Sequence, residues 1–145
     1  MPRVSRFEVD LELAQEMVQA ARSAAAETGA LVSVAVVDRG GNLICFERMD
    51  GAEVAGPTLA VDKAFTSVAH RIATAELTEL VSPGADLAGM SSAAGGRYIA
   101  FAGGLPCWDA DVVVAGIGVS GGTGAQDAAA AAAGLAVYEQ ALAAG

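Results

Sequence analysis

The sequence predicts an α+β fold, an antiparallel sheet covered by helices, and three observations carry that prediction. Val32, Val34 and Val36 alternate with smaller residues ahead of Asp38-Arg39-Gly40-Gly41-Asn42, a dense turn signal, and Leu43 to Arg48 returns as a second strand. Val112 to Ser120 is a continuous apolar run containing Gly116 and Gly118, which suits a central buried strand that another element approaches closely. The order helix, hairpin, helices, hairpin, helix is not the alternating βαβ series of a parallel sheet.

Taken in order, the first element is a helix that Asp10 caps and that runs to about Thr28, where Gly29 stops it. Leu13, Met17, Ala20 or Ala21, and Ala24 recur at helical spacing and form its core face. After the hairpin, Arg48-Met49-Asp50-Gly51 is a charged corner leading to Gly56-Pro57, with Pro in a first helical turn where its missing N–H costs nothing. That second helix is expected to reach about His70, with Val61, Phe65 and Val68 on one face and Thr58, Asp62, Lys63 and Thr66 toward another. Thr74 reads as the cap of a short helix over 75–81, closed by Ser82-Pro83-Gly84, and 86–90 as one further turn. Gly95-Gly96 and Gly103-Gly104 bracket an expected strand at 97–102. Leu105 to Trp108 then runs into a hairpin bend at Asp109-Ala110-Asp111. Beyond the apolar run, Thr123 and Gln126 match a capping box, and Asp127 sits near the positive end of the last helix's dipole. That helix runs to about Ala143, with Gly134 admitting a close neighbour.

The 145 residues are expected to form one domain, 1–145, since no linker or internal repeat divides them. With 54% hydrophobic and 17% charged residues the composition is globular. Much of the apolar count is Ala and Gly, which bury little area each, so part of the stability is expected to come from subunit contacts in a homo-oligomer. A net charge of −9 repels phosphate backbones and argues against nucleic-acid binding. Cys45 and Cys107 stand far apart outside any CxxC pattern, so neither a disulfide framework nor a thiolate metal site is expected. The first 30 residues hold no apolar signal region, and Leu11 to Ala26 is broken by polar residues, so no membrane contact and a cytoplasmic location are expected.

The runs SVAVVDRGGNLICFERMDGA, DKAFT, GGLP and AGIGVSGGTGAQD, in that order, resemble those of the GlcG/HbpS-like family, which includes the C-terminal domain of PduO-type proteins. The resemblance covers nearly the whole chain. It implies an α-β-α sandwich around a profilin-like antiparallel sheet, assembly into dimers up to octamers, and in some members haem binding in accessory or sensor roles. Haem-binding relatives use histidines early in the chain, whereas the single histidine here is His70.

Function is a property of the site, so the candidate residues are weighed individually. His70 can ligate haem iron or serve as an acid–base group; a helix-end histidine favoured by the dipole is the plainer reading. Met49, Cys45, Cys107 and Tyr98 are the other conceivable axial ligands, each also explained as packing. Lys63, Arg48 and Arg97 are the groups expected to meet propionates, with the corner at 48 and Lys63 at the rim of one hollow. Structural ion pairs are the competing reading, for Lys63 with Asp50, Asp38 or Glu47. An alternative function is a cofactor-independent lyase or isomerase for a small carboxylate or carbonyl metabolite, in which Lys63, Asp62 or His70 moves protons. A third is a structural accessory subunit. Gly121-Gly122-Thr123-Gly124 lacks a P-loop lysine, Asp109 and Asp111 read as a turn, and Trp108 suits an inter-subunit contact.

Overall fold

The computed structural model describes residues 3–145, folded as a three-layer α-β-α sandwich around a four-stranded antiparallel sheet. Strands β1 (Ser33–Asp38), β2 (Leu43–Arg48), β3 (Gly104–Asp109) and β4 (Val112–Ser120) lie in the order β2-β1-β4-β3. Helices α1 (Leu11–Glu27) and α4 (Gly124–Ala144) cover one face; α2 (Gly56–His70) and the short α3 (Thr74–Leu80) lie on the other.

The two-residue period of β1 assigns its side chains to the two layers. Val34 and Val36 join the core under α1 and α4, while Ala35 and Val37 meet Ala60 and Ala64 of α2. Asp38 closes the β1–β2 turn by accepting the N–H groups of Gly40 and Asn42 at 2.9 Å. On α1 the Asp10 carboxylate caps the Leu13 N–H (2.9 Å), and the buried stripe is Leu13, Ala14, Met17, Val18, Ala21 and Ala25. Of the expected pair Ala20/Ala21 it is Ala21 that turns inward, and Ala25 replaces Ala24. The α4 capping box forms as expected, and Gly134 lets Met17 O and Ile117 approach the α4 backbone.

The face of α2 agrees with its sequence reading only in part: Val61 and Val68 pack on the edge of the core, but Lys63 and Thr66 turn inward too. Gly56, Ala60, Lys63, Ala64, Thr66 and Ser67 are buried against the sheet, whereas Val61, Phe65 and Val68 are only half-buried. The cause lies in β4. A Cβ at Gly116 would meet Ser67 Oγ at 2.6 Å and Ala64 O at 2.7 Å, so the helix backbone rests directly on glycine and the residues facing it, Ala64 and Ser67, are small.

The expected strand at 97–102 does not form. This segment is irregular, and its backbone groups bond to helix side chains instead of a ladder. Thr66 Oγ1 accepts the Ile99 N–H (3.0 Å) and lies 3.1 Å from Arg97 O, while Thr78 Oγ1 donates to Ala100 O (2.6 Å). Thr74 is the first residue of α3 and not its cap; its hydroxyl accepts the Gly104 N–H (2.9 Å). The turn expected at 86–90 is present, with the Met90 N–H donating to Leu87 O (3.0 Å), and it leads into 3-10 turns at Met90–Ser92 and Ala94–Gly96. The bend at 109–111 is present, with Ala110 at φ 53° between β3 and β4. Among the described residues no helix is long and apolar enough to cross a membrane.

Candidate functional site

The residues singled out in the sequence fall into three places. The first is the buried end of β4. Lys63 leaves α2 beside Gly103, where a Cβ would stand 2.8 Å from its Nζ. Its ammonium donates to Val119 O (2.8 Å) and to Asp127 Oδ2 (3.1 Å), and the Phe101 ring lies 5.1 Å away. The other oxygen of Asp127 accepts the Gly122 N–H at 2.8 Å. Lys63 is 1% exposed, so burial pushes its pKa down while the Asp127 carboxylate opposes the shift. The expected partners Asp50, Asp38 and Glu47 are therefore replaced by Asp127, and Lys63 does not reach a rim. The glycine-rich turn before α4 is occupied by the protein's own carboxylate.

The second place is the corner after β2. Arg48 and Met49, with Arg22, Glu47 and Asp50, line an open hollow of about 620 Å³. Glu47 is held by Arg22 at 3.3 Å, and Met49 Sδ accepts the Val32 N–H at 3.4 Å. Arg48 pairs across the ladder with Ser33, at the end of the hairpin opposite its turn.

The third place is the far end of α2. Asp62 turns away from its neighbour Lys63 and accepts the Arg97 Nε–H at 3.0 Å. The Arg97 guanidinium sits over Phe65, its Cζ 3.7 Å from the ring centroid. Phe65 stacks on Tyr98 (5.9 Å between centroids, 8° between planes), and His70 packs against Tyr98 at 81° and 4.4 Å. His70 Nε2 is buried with no hydrogen-bond partner among the described residues. The hairpin turn abuts this ladder, since a Cβ at Gly41 would stand 2.7 Å from Phe65 Cδ1.

The remaining candidates have structural surroundings. Burial raises the Cys45 thiol's pKa, helped by Glu47, and pushes that of Cys107 up to about 12. Asp109 accepts the Phe7 N–H (2.8 Å), anchoring the N-terminal segment. Trp108 is 41% exposed on the edge strand β3, and its carbonyl accepts the Tyr138 hydroxyl at 2.8 Å.

The model of the family described as haem degrading protein HbpS-like matches residues 9–136. The chain belongs to that family. An uncharacterized 15.0 kDa protein from the dhaT-dhaS intergenic region of Citrobacter freundii is 40% identical to this HbpS-like chain over 119 residues, covering 82% of it and 84% of the relative. The crystal structure of Klebsiella pneumoniae protein ORFY superimposes with a TM-score of 0.90 at 35% identity, covering 96% and 97% of the two chains. A PduOC–haem complex superimposes with a TM-score of 0.87 at 33% identity, covering 90% of this chain and 95% of that one.

The sequence reading missed Asp127 as the partner of Lys63 and Phe65 as the support of Arg97. The only local trace of the first was an acid in the opening turn of α4, which the dipole already explains. The second had no local trace, because residues 65 and 97 are brought together only when 97–101 docks on α2.

Proposed function

We propose that this protein binds haem, in an accessory or sensor role, with His70 as the iron ligand. One observation carries the reading: the buried His70 Nε2, a ring nitrogen with no hydrogen-bond partner among the described residues. Leaving such an atom unpaired is costly, and a bound metal would satisfy it. The competing ligands are less suited, since burial disfavours both thiolates and Met49 Sδ already accepts a backbone N–H. Tyr98 packs T-shaped against the imidazole, 4.4 Å between ring centroids, and fixes its orientation. Bound haem would supply a redox-active iron, and the chain's part is to hold and orient it. Family membership and the similar PduOC–haem complex support the ligand class.

The reading includes homo-oligomeric assembly in the cytoplasm. Leu43 on one edge strand is 52% exposed and Trp108 on the other 41%, apolar area of the kind a partner subunit covers. The lyase or isomerase alternative is less well supported. Of its three proton carriers, Lys63 is buried and donates to Val119 O and Asp127, and Asp62 is paired with Arg97, which leaves His70 alone.

Titration of the purified protein with haemin tests the proposal. A shifted Soret band is expected, and His70→Ala should weaken binding by at least about tenfold and move the band. No shift in the native protein, or the same spectrum and affinity in His70→Ala, overturns it.

A further inference from the structure

Three basic groups are candidates for the carboxylates of a bound porphyrin, and their geometry separates them. Lys63 is buried and committed to Val119 O and Asp127. Arg48 stands at the opposite end of the hairpin from the turn that touches Phe65. A six-residue strand spans roughly 17–20 Å, so Arg48 is about that far along the sheet from the aromatic ladder.

Arg97 combines three features that the other two lack. Its Nε is held by Asp62, whose side chain is 14% exposed beneath it, while Arg97 itself remains 41% exposed. The guanidinium carbon rests over the Phe65 ring, 3.7 Å from its centroid. Among the described residues neither Nη donates to a protein acceptor, so the outer fork keeps the two parallel N–H groups that a carboxylate takes bidentately. The stack Arg97–Phe65–Tyr98–His70 then runs unbroken from that fork to the unpartnered imidazole nitrogen.

We infer that Arg97 is a carboxylate-recognition subsite, held ready by Asp62 and Phe65, which selects porphyrins with free propionates. This rests on the haem reading above and adds to it a specificity and the residue responsible. Fixing the guanidinium in advance removes the ordering cost that a free arginine meets on binding. Esterified propionates lose the charge-assisted bonds and keep the iron, so the two contributions can be measured apart.

The experiment compares dissociation constants for haemin and haemin dimethyl ester, read from the Soret band, in the native protein and in Arg97→Gln, Arg48→Gln and Phe65→Leu. The native protein should prefer haemin by about tenfold or more. Arg97→Gln should abolish that preference without moving the Soret band of the bound form, because His70 is intact. Arg48→Gln should keep the preference. Retention of the preference in Arg97→Gln, or its loss in Arg48→Gln, overturns the inference and leaves the haem reading standing. Should Arg97→Gln fail to fold, Phe65→Leu decides: it keeps the Asp62 bond and removes the stacking face, and an undiminished preference there overturns the inference. A native protein that shifts the Soret band of neither compound overturns the haem reading and this inference together.

Discussion

Asp127→Ala is expected to destabilise the fold by about 3–5 kcal/mol, the largest single loss at any ionisable position. Lys63 would keep its place under α2, 1% exposed, with one carbonyl and no hydrogen-bonded counter-charge, and the Gly122 N–H would lose its acceptor. A double-mutant cycle makes this specific. In Lys63→Met with Asp127→Ala the buried charge is gone, and the protein should recover part of the loss. A double variant as unstable as the sum of the two single ones would show that the pair does not couple. The pH dependence has a fixed sign. Burial lowers the pKa of Lys63 in the folded state, so between that lowered value and the ordinary lysine value of about 10.4 the unfolded chain binds more protons, and folding gains as pH rises. Without Asp127 the depression is larger. The penalty of Asp127→Ala, measured by urea unfolding, should therefore be smaller at pH 9.5 than at pH 7.

What was legible in the sequence was what neighbours along the chain decide. The hairpin follows from Asp38 bonding to residues two and four further on, and the start of α4 from Thr123 and Gln126. Both signals are complete within five residues. The inner face of α2 was legible only in part, since Val61 and Val68 do pack on the core but hydrophobic periodicity assumes that all the bulk points inward. Here the surface beneath the helix is glycine, and the space left admits Ala60 and Ala64 while displacing Phe65 to the flank. The run at 97–102 carries the composition of a strand, and composition says nothing about which partners its N–H groups find. Thr66 supplies one of them from across the layer. The candidate site was legible residue by residue: His70, Arg97, Arg48 and Lys63 could all be named, and their grouping could not. Asp62 and Lys63 are adjacent in sequence, yet the helical turn sends one to Arg97 at the surface and the other to Asp127 in the interior.

The same packing sets the second large effect. Gly118→Ala should cost about 3 kcal/mol, the upper end for one added carbon, because the obstacle is main chain. The new Cβ would overlap Ala60 O and stand 2.6 Å from Ala64 N, and neither is a flexible tip that can swing aside. The helix itself must lift from the sheet. Lifting α2 at Ala60 and Ala64 displaces Lys63 between them, so the ammonium loses alignment with Val119 O and Asp127 as well. Stability and the Lys63–Asp127 pair are thus expected to fail together. In the Asp127→Ala background Gly118→Ala should cost less than it does alone, since part of what it breaks is already gone. Gly124→Ala serves as the contrast. Its Cβ would meet only Ala102 Cβ at 3.6 Å, an ordinary contact, and the first turn of α4 should accept it within about 0.5 kcal/mol. Equal effects at positions 118 and 124 in chemical denaturation would mean that glycine at 118 does not set the spacing between α2 and the sheet. The account of why Lys63 is buried would then fail with it.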